Sequence, residues 1–236
     1  MKTSIHDKIS SKGFTLIELI TVIGIILVLM GLLFPAIQNI KEATKRAQAK
    51  NDVTQIVTGV NAYYTEYGKY PLVTAQLGWD TIFGNVGGNP NYPNDTLMDV
   101  LSNNLNGNNQ SAVALLNPRG IVFFSANNVK SASSPKSGIA TQNATSPHGN
   151  PIRAGEFLDP WGEQYIIGID GDYSGMAQVY TVLAYTDLKL SNDSQSPTPG
   201  PAVSAPVIAA SFGKDGKIGT NGDGKYNGSD DVISWQ

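Results

Sequence analysis

Residues 14–34 read FTLIELITVIGIILVLMGLLF, 21 residues with a single charge, Glu18. As a helix rising about 1.5 Å per residue, this run is about 31 Å long, enough to cross a hydrocarbon core about 30 Å thick. A cleaved secretory signal has a shorter apolar stretch, roughly 7 to 15 residues, with a small-x-small site just beyond it. Here Pro35 follows, then Lys41, Glu42, Lys45 and Arg46, and no such site stands in the expected place. The run therefore reads as a retained anchor in a lipid bilayer. Charge alone does not orient it, because Lys2, Lys8 and Lys12 precede the span while Lys41, Lys45, Arg46 and Lys50 follow it.

A carboxylate inside a span costs on the order of 3 kcal/mol and marks function by default. The plainer alternative is that Glu18, one turn into the bilayer, snorkels to the interface with help from the positive end of the helix. Gly24, Gly31 and Pro35 weaken the helix, and Pro35 predicts a kink by removing a backbone hydrogen bond.

Beyond Pro35 the helix is expected to continue in water. Val53, Ile56, Val57, Val60, Tyr63, Tyr64 and Tyr67 recur at spacings of three and four, the pattern of one buried helical face. Gly68 ends it and Pro71 forbids its resumption. Asp95 is placed to cap a short helix through Leu97, Met98, Leu101 and Leu105. Ile121 to Phe124 reads as a strand, and the Ser/Pro/Gly/Asn-rich stretch 131–151 as an exposed loop. Asp159-Pro160-Trp161-Gly162 is a turn with an aromatic anchor. Strands are expected at 164–169, 179–185 and 207–212, with a proline-stiffened loop at 191–206. The fold class is α+β: a long N-terminal helix on a small antiparallel sheet with long loops.

The composition excludes several functions. With 16 basic and 19 acidic residues the net charge is −3, and no basic patch with interleaved aromatics suggests nucleic acid. There is no cysteine, hence no disulfide and no thiol nucleophile. His6 and His148 stand apart, and no nucleophile elbow or phosphate loop occurs, so an enzyme is not expected.

The junction Lys12-Gly13-Phe14-Thr15-Leu16-Ile17-Glu18 resembles the processing site of type IV pilins and type II secretion pseudopilins, over residues 12 to about 35. The resemblance implies a leader, 1–13, removed by a prepilin peptidase between Gly13 and Phe14, with methylation of the new amine. It further implies a transmembrane polymerisation helix, 14–35, and a periplasmic domain, 36–236, of a single-pass inner-membrane protein. In such a homopolymer Glu18 would neutralise the Phe14 amine of a neighbour and set the register, and Pro35 matches the family proline where the helix loosens. Minor pseudopilins, an inner-membrane secretion platform and a separate cytoplasmic ATPase are the implied partners. Gly68-Lys69-Tyr70-Pro71 and the 159–162 turn resemble the major pseudopilin, against which residues of about 72–158 read as a variable insertion.

The tail from Gly213 to Trp235 alternates glycine with short oxygen-bearing side chains, as a calcium site requires. Asn221, Asp223, Asn227 and Asp230 fall at EF-hand-like spacing, but the first ligand position would be Gly219, so a full EF-hand loop is not present. The resemblance to the major pseudopilin implies Asp215 and Asp231 as the surest ligands, with the Phe212 carbonyl. Ser229 stands where the family often has aspartate, and Asp223 and Asp230 are possible additions. Asp170 and Asp172 form a second acidic turn. Three functions follow: a structural subunit of a secretion pseudopilus, a type IV pilin for adhesion, motility or DNA uptake, or a membrane-anchored calcium-binding module that never polymerises.

Overall fold

The computed structural model describes residues 13–73, 76–84, 92–180, 183–197 and 199–236. The expected leader, apart from Gly13, lies outside the described residues. The chain divides into two units, 1–44 and 45–236, and one helix, α1 (Leu16–Tyr67), supplies residues to both.

Helix α1 begins with a device absent from the sequence reading. Thr15 and Glu18 form a reciprocal capping box: the Glu18 N–H donates to Thr15 Oγ1 (3.3 Å), and Thr15 N–H donates back to Glu18 Oε2 (2.8 Å). The helix runs through position 35 as one element. It stops at Tyr67 because Gly68 turns left-handed (φ 66°) and donates to the Tyr64 carbonyl. In the first unit the large apolar side chains from Phe14 to Ile40 are 40–81% exposed. This helix is long and apolar enough to cross a membrane, and fits either a membrane anchor or a signal sequence.

In the second unit most of the expected stripe is covered, with Val57 and Tyr67 half-buried and Tyr64 exposed. Ala49, Val53, Ile56, Val60 and Tyr63 are fully covered and share one core with the sheet. That sheet has the order β1 (Thr81–Phe83), β6 (Ile166–Ile169), β10 (Val207–Ser211), β11 (Val232–Ile233), antiparallel throughout. Between β1 and β6 lie α2 (Asp95–Ser102), α3 (Gln110–Leu116), β2 (Gly138–Ile139), β3 (Ala144–Thr145), β4 (Pro151–Ile152) and β5 (Phe157–Leu158).

The sheet is covered on both faces. Ile167, Ile169, Val207, Ala209 and Val232 point to α1, whereas Ile166, Ile208, Ala210 and Ile233 point to a second cluster with Ala177, Val179, Leu183 and Tyr185. This is why the central strands are continuous apolar runs rather than alternating ones. Gly168 is required here: a Cβ would meet Ile208 Cγ1 at 2.7 Å.

Several local expectations are corrected. The helix at 95–102 has Asn94, not Asp95, at its N-cap, without a side-chain cap. Asn94 is fully buried and instead ties β5 to the residue before β6, donating to the Phe157 and Tyr165 carbonyls and accepting the Phe157 N–H. Leu105 lies beyond the helix and is exposed. Residues 121–124 form no strand, and the Phe123 and Phe124 N–H groups donate to the Leu101 carbonyl instead. The loop at 131–151 supplies β2, which pairs with β5, and β3, which pairs with β4. Of the strand expected at 179–185, residues 181–182 lie outside the described residues, and the pairing falls earlier, at β7 (Ala177–Gln178). The proline-rich stretch supplies β8 (Ser191–Asp193) and β9 (Gly200–Val203), which form a three-stranded sheet with β7.

The stretch 72–158 joins the main core through Leu97, Met98, Leu101, Val113, Leu116, Phe124 and Phe157. It also satisfies the tyrosines of α1: Tyr63 donates to the Leu116 carbonyl and Tyr67 to Asn117 Oδ1.

The 159–162 turn is organised by Asp159, which is completely buried. Its Oδ1 accepts the N–H groups of Trp161, Gly162 and Glu163 at 2.8–3.0 Å, and its Oδ2 accepts Ser211 Oγ at 2.6 Å. Burial raises its pKa to about 6 against the pull of these bonds. Asp159→Ala strands three buried amides and should lower the unfolding free energy of the full chain in detergent by about 3 kcal/mol. Asp159→Asn keeps an acceptor and should lose clearly less. Denaturant titration checks both.

Candidate metal centre and assembly helix

The acidic tail is the connection of a β-hairpin. β10 leaves at Ser211 and β11 begins at Val232, so their pairing brings Gly213–Asp215 beside Asp230–Asp231. The approach is tight: a Cβ on Gly213 (φ 64°) would lie 2.4 Å from the Asp230 carbonyl. Ser211 Oγ accepts the Gly213 N–H while donating to Asp159, so the hairpin foot is fixed to the 159–162 turn.

Carboxylate oxygens of Asp215, Asp230 and Asp231 lie within 4.8 Å of one another. Each is partly engaged by backbone. Asp215 accepts the Lys217 and Asn221 N–H groups, and Asp230 Oδ2 accepts those of Lys214 and Asp215. Asp231 Oδ2 accepts the Gly219 N–H at 2.6 Å, leaving Oδ1 buried without a hydrogen-bond partner. Among the described residues no Lys or Arg ion pair neutralises the three. Burial pushes the Asp231 carboxyl up to about 7, and Asp230 and Asp215 push the same way. A buried, unpartnered oxygen among three carboxylates is what a hard cation completes, so this cluster could hold a metal ion.

The other expected ligands fall differently. Ser229 is buried beside the triad, but its Oγ donates to the Tyr226 carbonyl and accepts the Asp231 N–H. Asp223 turns back on its own turn, accepting the Thr220 and Lys225 N–H groups, and is not among the three. Phe212, half-buried, immediately precedes Gly213.

Asp80, Asp170 and Asp172 form a second acidic cluster that could take a cation. It joins the start of β1 to the end of β6. Most of its oxygens serve the backbone: Asp80 accepts from Gly171 and Gln178, Asp170 from Ser174 and Gly175, and Asp172 Oδ1 from Ser174, while Asp172 Oδ2 is buried without a hydrogen-bond partner. Burial raises Asp80 to about 7 and Asp170 to about 6. Sequence named Asp170 and Asp172 but missed Asp80, which lies some ninety positions away and is joined only by strand pairing.

His148 was also unforeseen. It sits under Gly216 of the acidic loop, with Nδ1 2.9 Å from Glu163 Oε1. No local signal marks it.

In the first unit, Gly13 has open space around it and Phe14 is 81% exposed. Glu18 Oε2 receives Thr15 Oγ1 at 2.7 Å as well as the Thr15 amide.

No protein-family model matches the chain, and neither a curated protein nor a solved structure does. The architecture itself is pilin-like: a long N-terminal helix with an apolar, exposed first half and a second half packed on antiparallel sheet.

Proposed function

We propose that this chain is a structural, non-enzymatic subunit of a type II secretion pseudopilus, polymerising through α1 to drive protein export across the outer membrane. Its partners on this reading are copies of itself, minor pseudopilins, a prepilin peptidase, the bilayer and an inner-membrane secretion platform. The observation that carries the reading is Glu18, the sole charge in an exposed apolar helix half. A plain anchor gains from it only a helix cap worth about 1 kcal/mol, less than the roughly 3 kcal/mol that a carboxylate in the span costs. The acidic hairpin loop and the lack of cysteine favour the pseudopilin over a surface pilin whose terminal loop is closed by a disulfide. On this reading calcium, held by Asp215, Asp230 and Asp231, fastens that loop.

Processing is the first test. Cleavage after Gly13 and methylation of the Phe14 amine are expected, and intact-mass spectrometry of the membrane form reads both. A mature chain still carrying Met1, or one cut beyond Pro35, rules the processing out. Deleting the gene in its host then separates the functions. Loss of exported proteins with surface pili unchanged supports secretion, whereas loss of adhesion or twitching with normal export supports a type IV pilin.

A further inference from the structure

We infer that Tyr185 is a positioning residue of the cation site, its buried hydroxyl serving as the donor that holds the Asp231 carboxylate for the ion. The inference rests on the cation reading of the loop at 213–231.

Tyr185 is 1% exposed, and its hydroxyl has no hydrogen-bond partner. Asp231 Oδ1 is likewise buried and unpartnered, and Asp231 is the foremost charge acting on the phenol. A buried donor and a buried acceptor left unmade side by side call for an explanation, since each forfeits its hydration without a replacement bond. Carboxylates that ligate a metal are themselves held by outer hydrogen bonds, and loss of such a partner typically weakens metal binding about 10- to 100-fold. Tyr185 is placed for that part.

Its neighbours grip the same loop. The Tyr185 ring meets Tyr226 edge-on at 5.6 Å, the Thr186 N–H donates to the Gly224 carbonyl (2.9 Å), and the Asp187 carboxylate accepts the Tyr226 and Asn227 N–H groups at 2.7 and 2.8 Å. Residues 185–187 therefore brace the loop from outside the hairpin, while the Tyr185 ring belongs to the second core cluster. Packing explains the ring. It does not explain the hydroxyl, which a phenylalanine would lack at no loss of packing.

The test uses the full-length chain in detergent, titrated with Ca²⁺ by calorimetry and with Tb³⁺ by aromatic-sensitised emission. Tyr185→Phe should weaken the Ca²⁺ dissociation constant at least tenfold, while its melting temperature in chelator stays level or rises, because an unpaired buried hydroxyl has gone. Unchanged affinity in the variant overturns the inference, and so does weaker binding accompanied by a lower melting temperature in chelator, which marks a structural role. If the wild-type chain takes up neither ion, the cation reading itself fails, a result visible before any variant is made.

Discussion

Glu18→Ala and Glu18→Gln are both expected to insert into the membrane normally and to form no filaments. Removing a charge from the span only eases insertion. Assembly is different. On the proposed reading, processing would leave the Phe14 amine as a positive charge among packed helices, and Glu18 of a neighbour would be the partner the sequence offers. Opposite charges 4 Å apart attract by roughly 4 kcal/mol at an effective dielectric of 20, before desolvation is subtracted. A wrong register strands both charges, so the pair selects one stagger. The capping box makes the glutamine variant informative. Glutamine still returns a hydrogen bond to the Thr15 amide, whereas alanine removes a cap worth about 1 kcal/mol. Electron microscopy of filaments sheared from cells, beside immunoblots of the membrane fraction, reads the result. If Glu18→Gln assembles and Glu18→Ala does not, the residue acts as a helix cap rather than as a charge. If both assemble, it sets no register.

Chelation is expected to lower the melting temperature of the chain by about 5 to 10 °C, and millimolar Ca²⁺ to restore it. A ligand at one hundred times its dissociation constant stabilises the native state by about 2.7 kcal/mol, and about 2–4 °C accompanies each kcal/mol in a domain of this size. Asp215→Ala and Asp231→Ala should melt as the chelated wild type does and not respond to Ca²⁺. Asp172→Ala, in the other cluster, should leave the response intact. The effect should also depend on pH. Without an ion, burial holds the Asp231 pKa at about 7, above its unfolded value of about 3.9. A carboxyl raised in this way contributes stability that is complete below about pH 4 and is lost as pH rises toward 7. A bound cation favours the ionised form, so the gap between chelated and Ca²⁺-loaded melting temperatures should widen from pH 5 to 7.5. Identical melting in chelator and in Ca²⁺ across that range would leave the loop a solvated connection.

The sequence by itself determined what depends on neighbours within a few positions. The apolar run at 14–34, the stripe from Val53 to Tyr67 and the stop at Gly68 follow from helical periodicity and backbone freedom. The turn at Asp159 and the oxygen-rich tail follow from local chemistry. Other features were decided only when distant segments met. The register of β10 on β11 sets Asp215 against Asp230 and Asp231 and leaves Asp223 in a turn of its own. Strand pairing likewise carries Asp80 to Asp170. Beyond the short helix read through Leu97 and Leu101, residues 103–157 showed no periodicity that announced their place, yet Val113 and Phe124 fill the core beside α1. The reason is physical. Helix faces and turns are fixed by spacings of two to four residues, which the sequence displays. Cross-strand partners are fixed by which pairing buries the most apolar surface with every backbone amide satisfied, a condition on the whole chain that no short stretch records.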